Sequence, residues 1–326
     1  MKLREFFDRA LAVGRANDPR GEDGVLAYLA KERRTYEDLA DDAQADFDAD
    51  RLTNPYPDTR ILNGADDVDV KAIMVGIDFE VGELVLADRL RERGDRVDLC
   101  VAHHPEGYAM ANLYRVMEMQ ADILAQLGIP ITVAEGILDP RLHEVKRRLL
   151  VQNHTRALDA AKLLGFPFMC LHTVADNCVT KFLQGRFDAE RPNSLGDVVA
   201  ILKAEPEYAE AKLHGAGLQI LARSIQSEPN PARIRAGEIF VDMTGGTGGS
   251  KWMFEKLATN TKVGTFVGMH VSEDNLEIAR ENHINVVIAG HAPSDSLGLN
   301  LLLAGIMAEE ELEVTACSGY IRVKRS

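Results

Sequence analysis

No two of the four cysteines, Cys100, Cys170, Cys178 and Cys317, are spaced as C-x-x-C, which excludes a zinc ribbon and a thioredoxin-type redox motif. Most of them stand in or beside apolar stretches, as small buried hydrophobes do. Long apolar runs are missing as well. No stretch approaches the roughly 20 residues of a membrane span, and Met1-Lys2-Leu3-Arg4-Glu5 carries charge where a secretory signal needs apolar residues. These absences point to a soluble, reducing, cytoplasmic setting with no membrane partner. Bases are scarce relative to acids, 37 against 51, for a net charge of −14. Nucleic-acid backbones are bound by basic faces, and the basic clusters at residues 31–34, 146–148 and 322–325 are short, so no nucleic-acid partner is expected.

What the chain does have is core-forming material. Hydrophobic residues make up 46% of 326, enough for one large domain or two ordinary ones. Residues 1 to about 50 read as helical, with Phe6, Phe7, Leu11 and Val13 at roughly helical spacing. Asp46-x-Asp48-x-Asp50 resembles the start of a calcium loop. Arg51 stands where that loop needs Gly, and Pro57 where it needs a bidentate Glu, so the stretch reads as a solvated acidic face. Asn54-Pro55-Tyr56-Pro57-Asp58 then breaks the pattern.

From there strands and helices alternate. Strands are expected at 70–77, 97–102, 129–134, 166–171, 238–241, 265–268 and 285–289. Helices are expected at 83–93, 112–127, 251–258 and 273–282, with one more starting at Asp139-Pro140 and running to Leu164. Residues 181–235 hold only helical fragments between Pro and Gly breaks. The alternation predicts an α/β protein with parallel or mixed sheets. The expected division is a helical N-terminal segment (1–55), a first α/β lobe (56–180) and a second (181–326).

Chemistry-bearing residues gather where these strands end, the usual ligand-binding edge of an α/β sheet. Val97–Ala102 runs into His103-His104-Pro105, the strand from Phe166 into His172-Thr-x-x-Asp176, and Val286–Ala289 into Gly290-His291-x-x-Ser294-Asp295. Imidazole and carboxylate together suit Zn, Mn, Fe or Co better than Ca or Mg. Five such ligands exceed what one four-coordinate ion requires and would suit a two-metal site. Each piece taken singly fits a plainer role equally well. Adjacent strand residues face opposite ways, so His103 and His104 also read as one core and one surface imidazole. His172 and Asp78 read as hydrogen-bonding neighbours or helix caps, and His154 as a surface residue in mid-helix. A further loop, Gly245-Gly246-Thr247-Gly248-Gly249-Ser250, follows a strand and precedes a helix, so Gly246, Gly248 and Gly249 can offer amides to an anion or cofactor. Lys251 follows Ser250, whereas a Walker A loop has Lys before Ser or Thr; a tight turn is the alternative.

Taken together, His-His-Pro, His-Thr-x-x-Asp and Gly-His-x-x-Ser with a following acid resemble the NIF-three-like dinuclear metal proteins, which also carry the name GTP cyclohydrolase I type 2. The flanks Val70–Asp78, Val271–Arg280 and Ile284–His291 are similar too, and the similarity spans about residues 56–180 and 236–305. The resemblance implies two interlinked α/β lobes with mixed sheets and a metal cleft between them. It implies two divalent ions (Zn, Fe or Mn) held by His103, His104, Asp176, His291 and Asp295. It implies a metal-dependent hydrolase acting through a metal-bridging hydroxide on a small molecule such as a nucleotide or phosphoester. The alternative is a non-catalytic metal-binding scaffold or regulatory interaction factor. A homo-oligomer, such as a hexameric ring, is implied as well. Three departures stand out: Asp295 where the family usually has Glu, His270 where a family glutamate often stands, and Glu106-Gly107-Tyr108 where the family is usually apolar.

Overall fold

From residue 3 to 16 the buried positions are Leu3, Phe6, Phe7, Ala10, Leu11 and Gly14, the three-and-four spacing of one helix face. They form helix α1 (Leu3–Ala16), followed by α2 (Gly21–Glu37) and α3 (Asp41–Ala45) in the computed structural model, which describes residues 1–213, 219–221 and 230–325. The acids after α3 are not simply solvated. Asp48 and Asp50 pair with the mostly buried Arg60, and Arg51 pairs with Glu32.

The first α/β stretch runs β1 (Thr59–Asn63), β2 (Ala72–Gly76), α4 (Val81–Glu92), β3 (Leu99–Ala102), α5 (Gly107–Val116), α6 (Met119–Gln126), α7 (Ile131–Leu149), α8 (Arg156–Leu164) and β4 (Phe168–Leu171). Helices α9 (Thr173–Glu190), α10 (Leu195–Lys203) and α11 (Pro206–Leu213) lead into the second: β5 (Gln219–Leu221), β6 (Glu238–Asp242), α12 (Met253–Asn260), β7 (Val263–Gly268), α13 (Glu273–Glu281), β8 (Asn285–Ile288), α14 (His291–Ile306) and β9 (Glu313–Cys317).

Two mixed sheets result. One has the order β1-β4-β3-β2-β9, parallel except for β1, which runs antiparallel to β4. The other has the order β5-β8-β7-β6, parallel except for β5. Strands β2, β3 and β4 are buried at every position, as parallel strands covered on both faces must be. Between the sheets, α1, α9 and α14 pack against one another. The N-terminal helix is therefore part of the core, and β9 returns from the C-terminal stretch to the first sheet, so a cut at 180/181 does not separate the sheets. Residues 214–218, 222–229 and 326 of the expected second lobe lie outside the described residues. Among the described residues no helix is long and apolar enough to cross a membrane.

Several expected elements differ. The β-branched run 129–134 is the start of α7, not a strand: Pro130 opens the helix, and Ile131 is its first residue. Pro140 lies inside α7, where the lost bond to the Gly136 carbonyl falls on an exposed turn, and so is not a helix start. The helix expected up to Leu164 is two, and His154 sits in the turn between them. The helix expected over 112–127 likewise breaks at Met117 and Glu118 into α5 and α6.

Candidate metal centre

Three strand-to-helix junctions meet in one cleft between the sheets. Beyond β3, the backbone N–H groups of His103 and His104 donate to the carbonyls of Gly76 and Ile77 at 2.9 Å each, which extends the pairing with β2 to the His-His step. The chain then leaves the sheet at Pro105. The two rings do not end on opposite faces; their centroids lie 5.2 Å apart. His103 is buried and His104 half-buried. After β4, His172 precedes α9 and Asp176 lies in its first turn, where the helix dipole favours a carboxylate. After β8, Gly290 takes φ 106°, a conformation that suits glycine, and opens α14. His291 is the first residue of α14 and Asp295 stands one turn on, on the same face.

The convergence is close. His103 Nε2 lies 3.5 Å from Asp176 Oδ1 and 3.4 Å from Asp295 Oδ1. The other oxygen of Asp295, Oδ2, lies 3.6 Å from His104 Nε2 and 3.7 Å from His291 Nε2. Asp295 thus belongs to two ligand groups at once, His103–Asp176–Asp295 and His104–His291–Asp295. All five residues expected from the sequence are brought together.

Buried polar atoms almost always find partners. Here His103 Nε2, Asp176 Oδ1 and both carboxylate oxygens of Asp295 are buried without a hydrogen bond. Their spacings are roughly those of two atoms each about 2.0–2.2 Å from one tetrahedral ion. The donor set and its orphaned atoms fit a divalent metal.

The electrostatics divide the five ligands. Burial opposes charge on His103, but the carboxylates of Asp295 and Asp176 outweigh it and raise its pKa. Burial and the neighbouring His103 push His104 down to about 4, and burial lowers His291, partly offset by Asp295. Burial raises Asp176 well above the usual carboxylate range. It would do the same to Asp295, but the surrounding histidines, His103 foremost, hold that carboxyl below its ordinary value. His104, His291 and Asp295 are thus shifted toward the neutral imidazoles and ionised carboxylate that a divalent ion requires, whereas His103 and Asp176 are shifted the other way and would release protons as an ion binds.

Around this group, Asp78 Oδ1 takes His104 Nδ1 at 2.7 Å, so Asp78 orients His104, and the cap of α4 is Glu80. The Leu171 carbonyl lies 3.2 Å from His103 Nδ1. His172 Nδ1 is held 2.7 Å from Asp58 Oδ2. Asp58 was not singled out in the sequence because β1 was not; the antiparallel pairing of β1 with β4 sets Thr59 opposite Leu171 and so brings Asp58 beside His172. His270 is exposed and packs edge-on to His291, ring centroids 5.1 Å apart.

The cleft, about 660 Å³, is lined by His104, Asp176 and His291 together with the glycine-rich loop, Arg141 and Trp252. Gln120 Nε2 donates to the carbonyls of Gly245 (2.6 Å) and Thr247 (2.7 Å), and Arg141 Nε to that of Gly248 (3.0 Å). With those carbonyls pinned, the N–H groups of residues 245–249 meet no acceptor among the described residues. Gly246 has a packing reason of its own: at φ 87° its Cβ would stand 2.8 Å from Val116 Cγ1. Gly249 would likewise crowd Gln120, whereas a side chain at Gly248 would only reach ordinary contact with His270. Glu106, at the cleft wall, is pushed up to about 7 by burial and by the nearby Glu80.

No protein-family model matches the chain, and no curated protein matches it in sequence. Among solved structures it is similar to a NIF3 superfamily protein from Sphaerobacter thermophilus, with 25% identity and a TM-score of 0.67 over 81% of this chain and 91% of that one. Fainter likenesses join it to reduced HcgD from Methanocaldococcus jannaschii (14% identity, TM-score 0.49, 79% and 87% of the two chains) and to a Bacillus cereus protein related to NIF3 (10%, 0.39, 81% and 92%).

Proposed function

We propose that this chain, which belongs to the NIF3 superfamily, is a hydrolase that depends on two divalent metal ions. The observation that carries the reading is Asp295, whose buried, unpaired oxygens face one imidazole on one side and two on the other. His103 and Asp176 would hold one ion, His104 and His291 the other, and Asp295 would be shared. A bound divalent ion supplies Lewis acidity: it polarises an ester, amide or ring C=N bond and lowers the pKa of water. The protein's own part is orientation and exclusion. Asp78 and the Leu171 carbonyl fix two imidazoles, and the buried ligand faces keep bulk water from the inner side of the site.

The glycine-rich loop in the same cleft supports an anionic substrate, a nucleotide or phosphoester. The amides of residues 245–249, with Gly246, Gly248 and Gly249 among them, meet no acceptor among the described residues and can take phosphate oxygens. Arg141, paired with Glu144, braces the loop through the Gly248 carbonyl, and half-exposed Trp252 offers an aromatic face. A homo-oligomer, a hexameric ring, is part of the same proposal and is read by light scattering.

The test is a screen of nucleotides and phosphoesters with metal-loaded protein, with and without chelator. The expected outcome is turnover that chelator abolishes and that Asp176→Ala reduces at least about 100-fold. Metal binding without turnover would favour the non-catalytic scaffold. Turnover that persists in Asp176→Ala would rule out this site as its source.

A further inference from the structure

Five ligands were legible in the sequence, and a sixth candidate, a fourth imidazole, stands among them. We infer that His172 is itself a metal ligand and that Asp58 is the residue that aims it. The inference rests on the metal reading above and adds to it. A ligand atom of His172 lies within 4.8 Å of ligand atoms of both His103 and His104, and the His172 ring lies 4.9 Å from that of His103.

The stronger argument is how the ring is held. A metal-bound imidazole commonly gives its second ring nitrogen to a carboxylate or carbonyl, which fixes tautomer and orientation. His103 does so toward the Leu171 carbonyl and His104 toward Asp78. His172 shows the same arrangement: Nδ1 lies 2.7 Å from Asp58 Oδ2. Asp58 is fully buried and also accepts from Thr173 Oγ1 at 2.7 Å, so its carboxylate is fixed from two sides. In the neutral ring with Nδ1 donating, Nε2 of His172 is the nitrogen that offers a lone pair. It points toward the cluster with Asp176 Oδ2 at 3.7 Å, beyond hydrogen-bond reach. His172 lines the cleft, and its Nε2 meets no donor among the described residues.

The assignment also follows from topology. His172 sits at the end of β4, the strand next to β3, whose end delivers His103 and His104. The antiparallel strand β1 brings Asp58 to the same edge.

The experiment is titration of purified full-length chain with Co(II), read by its d–d absorption and by equilibrium affinity, with circular dichroism and thermal melting as fold controls. His172→Ala should lower affinity about 10- to 100-fold and change the spectrum as one nitrogen donor leaves. His172→Gln, which can keep the hydrogen bond to Asp58, serves if the alanine variant fails to fold, and it should show the same change. Asp58→Asn should weaken binding less, and Asp58→Asn with His172→Ala should be no weaker than His172→Ala alone, because Asp58 acts through the ring. Wild type that binds Co(II), with His172→Ala and His172→Gln matching it in affinity and spectrum, overturns the role of His172 and leaves the metal site standing. Wild type that binds no Co(II) overturns both.

Discussion

Asp295 is one methylene shorter than the glutamate usual at its position, and the geometry shows how it reaches. It stands one helical turn into α14, 1% exposed, with its two oxygens 3.4 Å and 3.6 Å from His103 and His104. Asp242 is a contrasting acid. It ends β6 in the wall of the same cleft, half-buried, with no hydrogen-bond partner among the described residues, and burial pushes it up to about 7. An ordinary Asp titrates near 3.9. The folded state therefore holds a proton that the unfolded state has lost between about pH 4 and 7, and stability falls as pH rises through that window. Asp242→Asn should remove this slope. Full burial would make the difference about 4 kcal/mol; partial exposure reduces it to about 2 kcal/mol of added stability above pH 7, with little difference near pH 4. Urea unfolding at pH 4.5 and pH 8 checks it, and equal differences at both would refute the assignment.

At the scale of elements, the site depends on how closely two helices approach. Helix α9 carries Asp176 and α14 carries His291 and Asp295. They cross at Gly298, where a Cβ would stand 2.5 Å from the Ala175 carbonyl oxygen, a backbone atom that cannot rotate away. Gly298→Ala should therefore wedge the helices apart, cost about 2 kcal/mol, and lower metal affinity together with the melting temperature. An unchanged affinity would show that the crossing does not set the ligand spacing. Much of this scale was readable beforehand. Strands ending in His103-His104 and at Ala289, and helices stopped by Gly94, Gly128 and Gly165, obey local rules. What was missed depends on distant partners. Strand β1 has weak alternation and exists because β4 pairs with it; β9 exists because β2 does. The 129–134 run has β-branched residues that favour a strand, yet the packing of α7 against α5 and α6 makes it helical. Asp58, Gln120 and Arg141 act across 107 to 127 residues of chain, and no short motif marks them.

For the whole molecule, the two sheets serve as platforms that present strand ends to one cleft, with α1 packed against both ligand-bearing helices. The C-terminal tail is part of this frame: Arg325 pairs with Glu205 and Glu207 of the chain around α11, and Asn300 of α14 bonds to Tyr320 and Val323. The basic residues of the tail are engaged within the chain: Arg322 with Asn300, Lys324 with Glu311 and Arg325 with the two glutamates. Burying Asp176 and Asp295 unpaired costs stability that a bound cation would return, so metal at a hundredfold its Kd should add about 2.7 kcal/mol. The central claim is that Asp295 joins two metal subsites. Its most direct test is metal content, by mass spectrometry after loading with Zn or Mn and dialysis, of wild type and Asp295→Ala, with the fold checked by circular dichroism. Two equivalents in wild type, and fewer than one in Asp295→Ala, are the predicted result; an Asp295→Ala protein that keeps both ions, or a wild type that holds none, would contradict it.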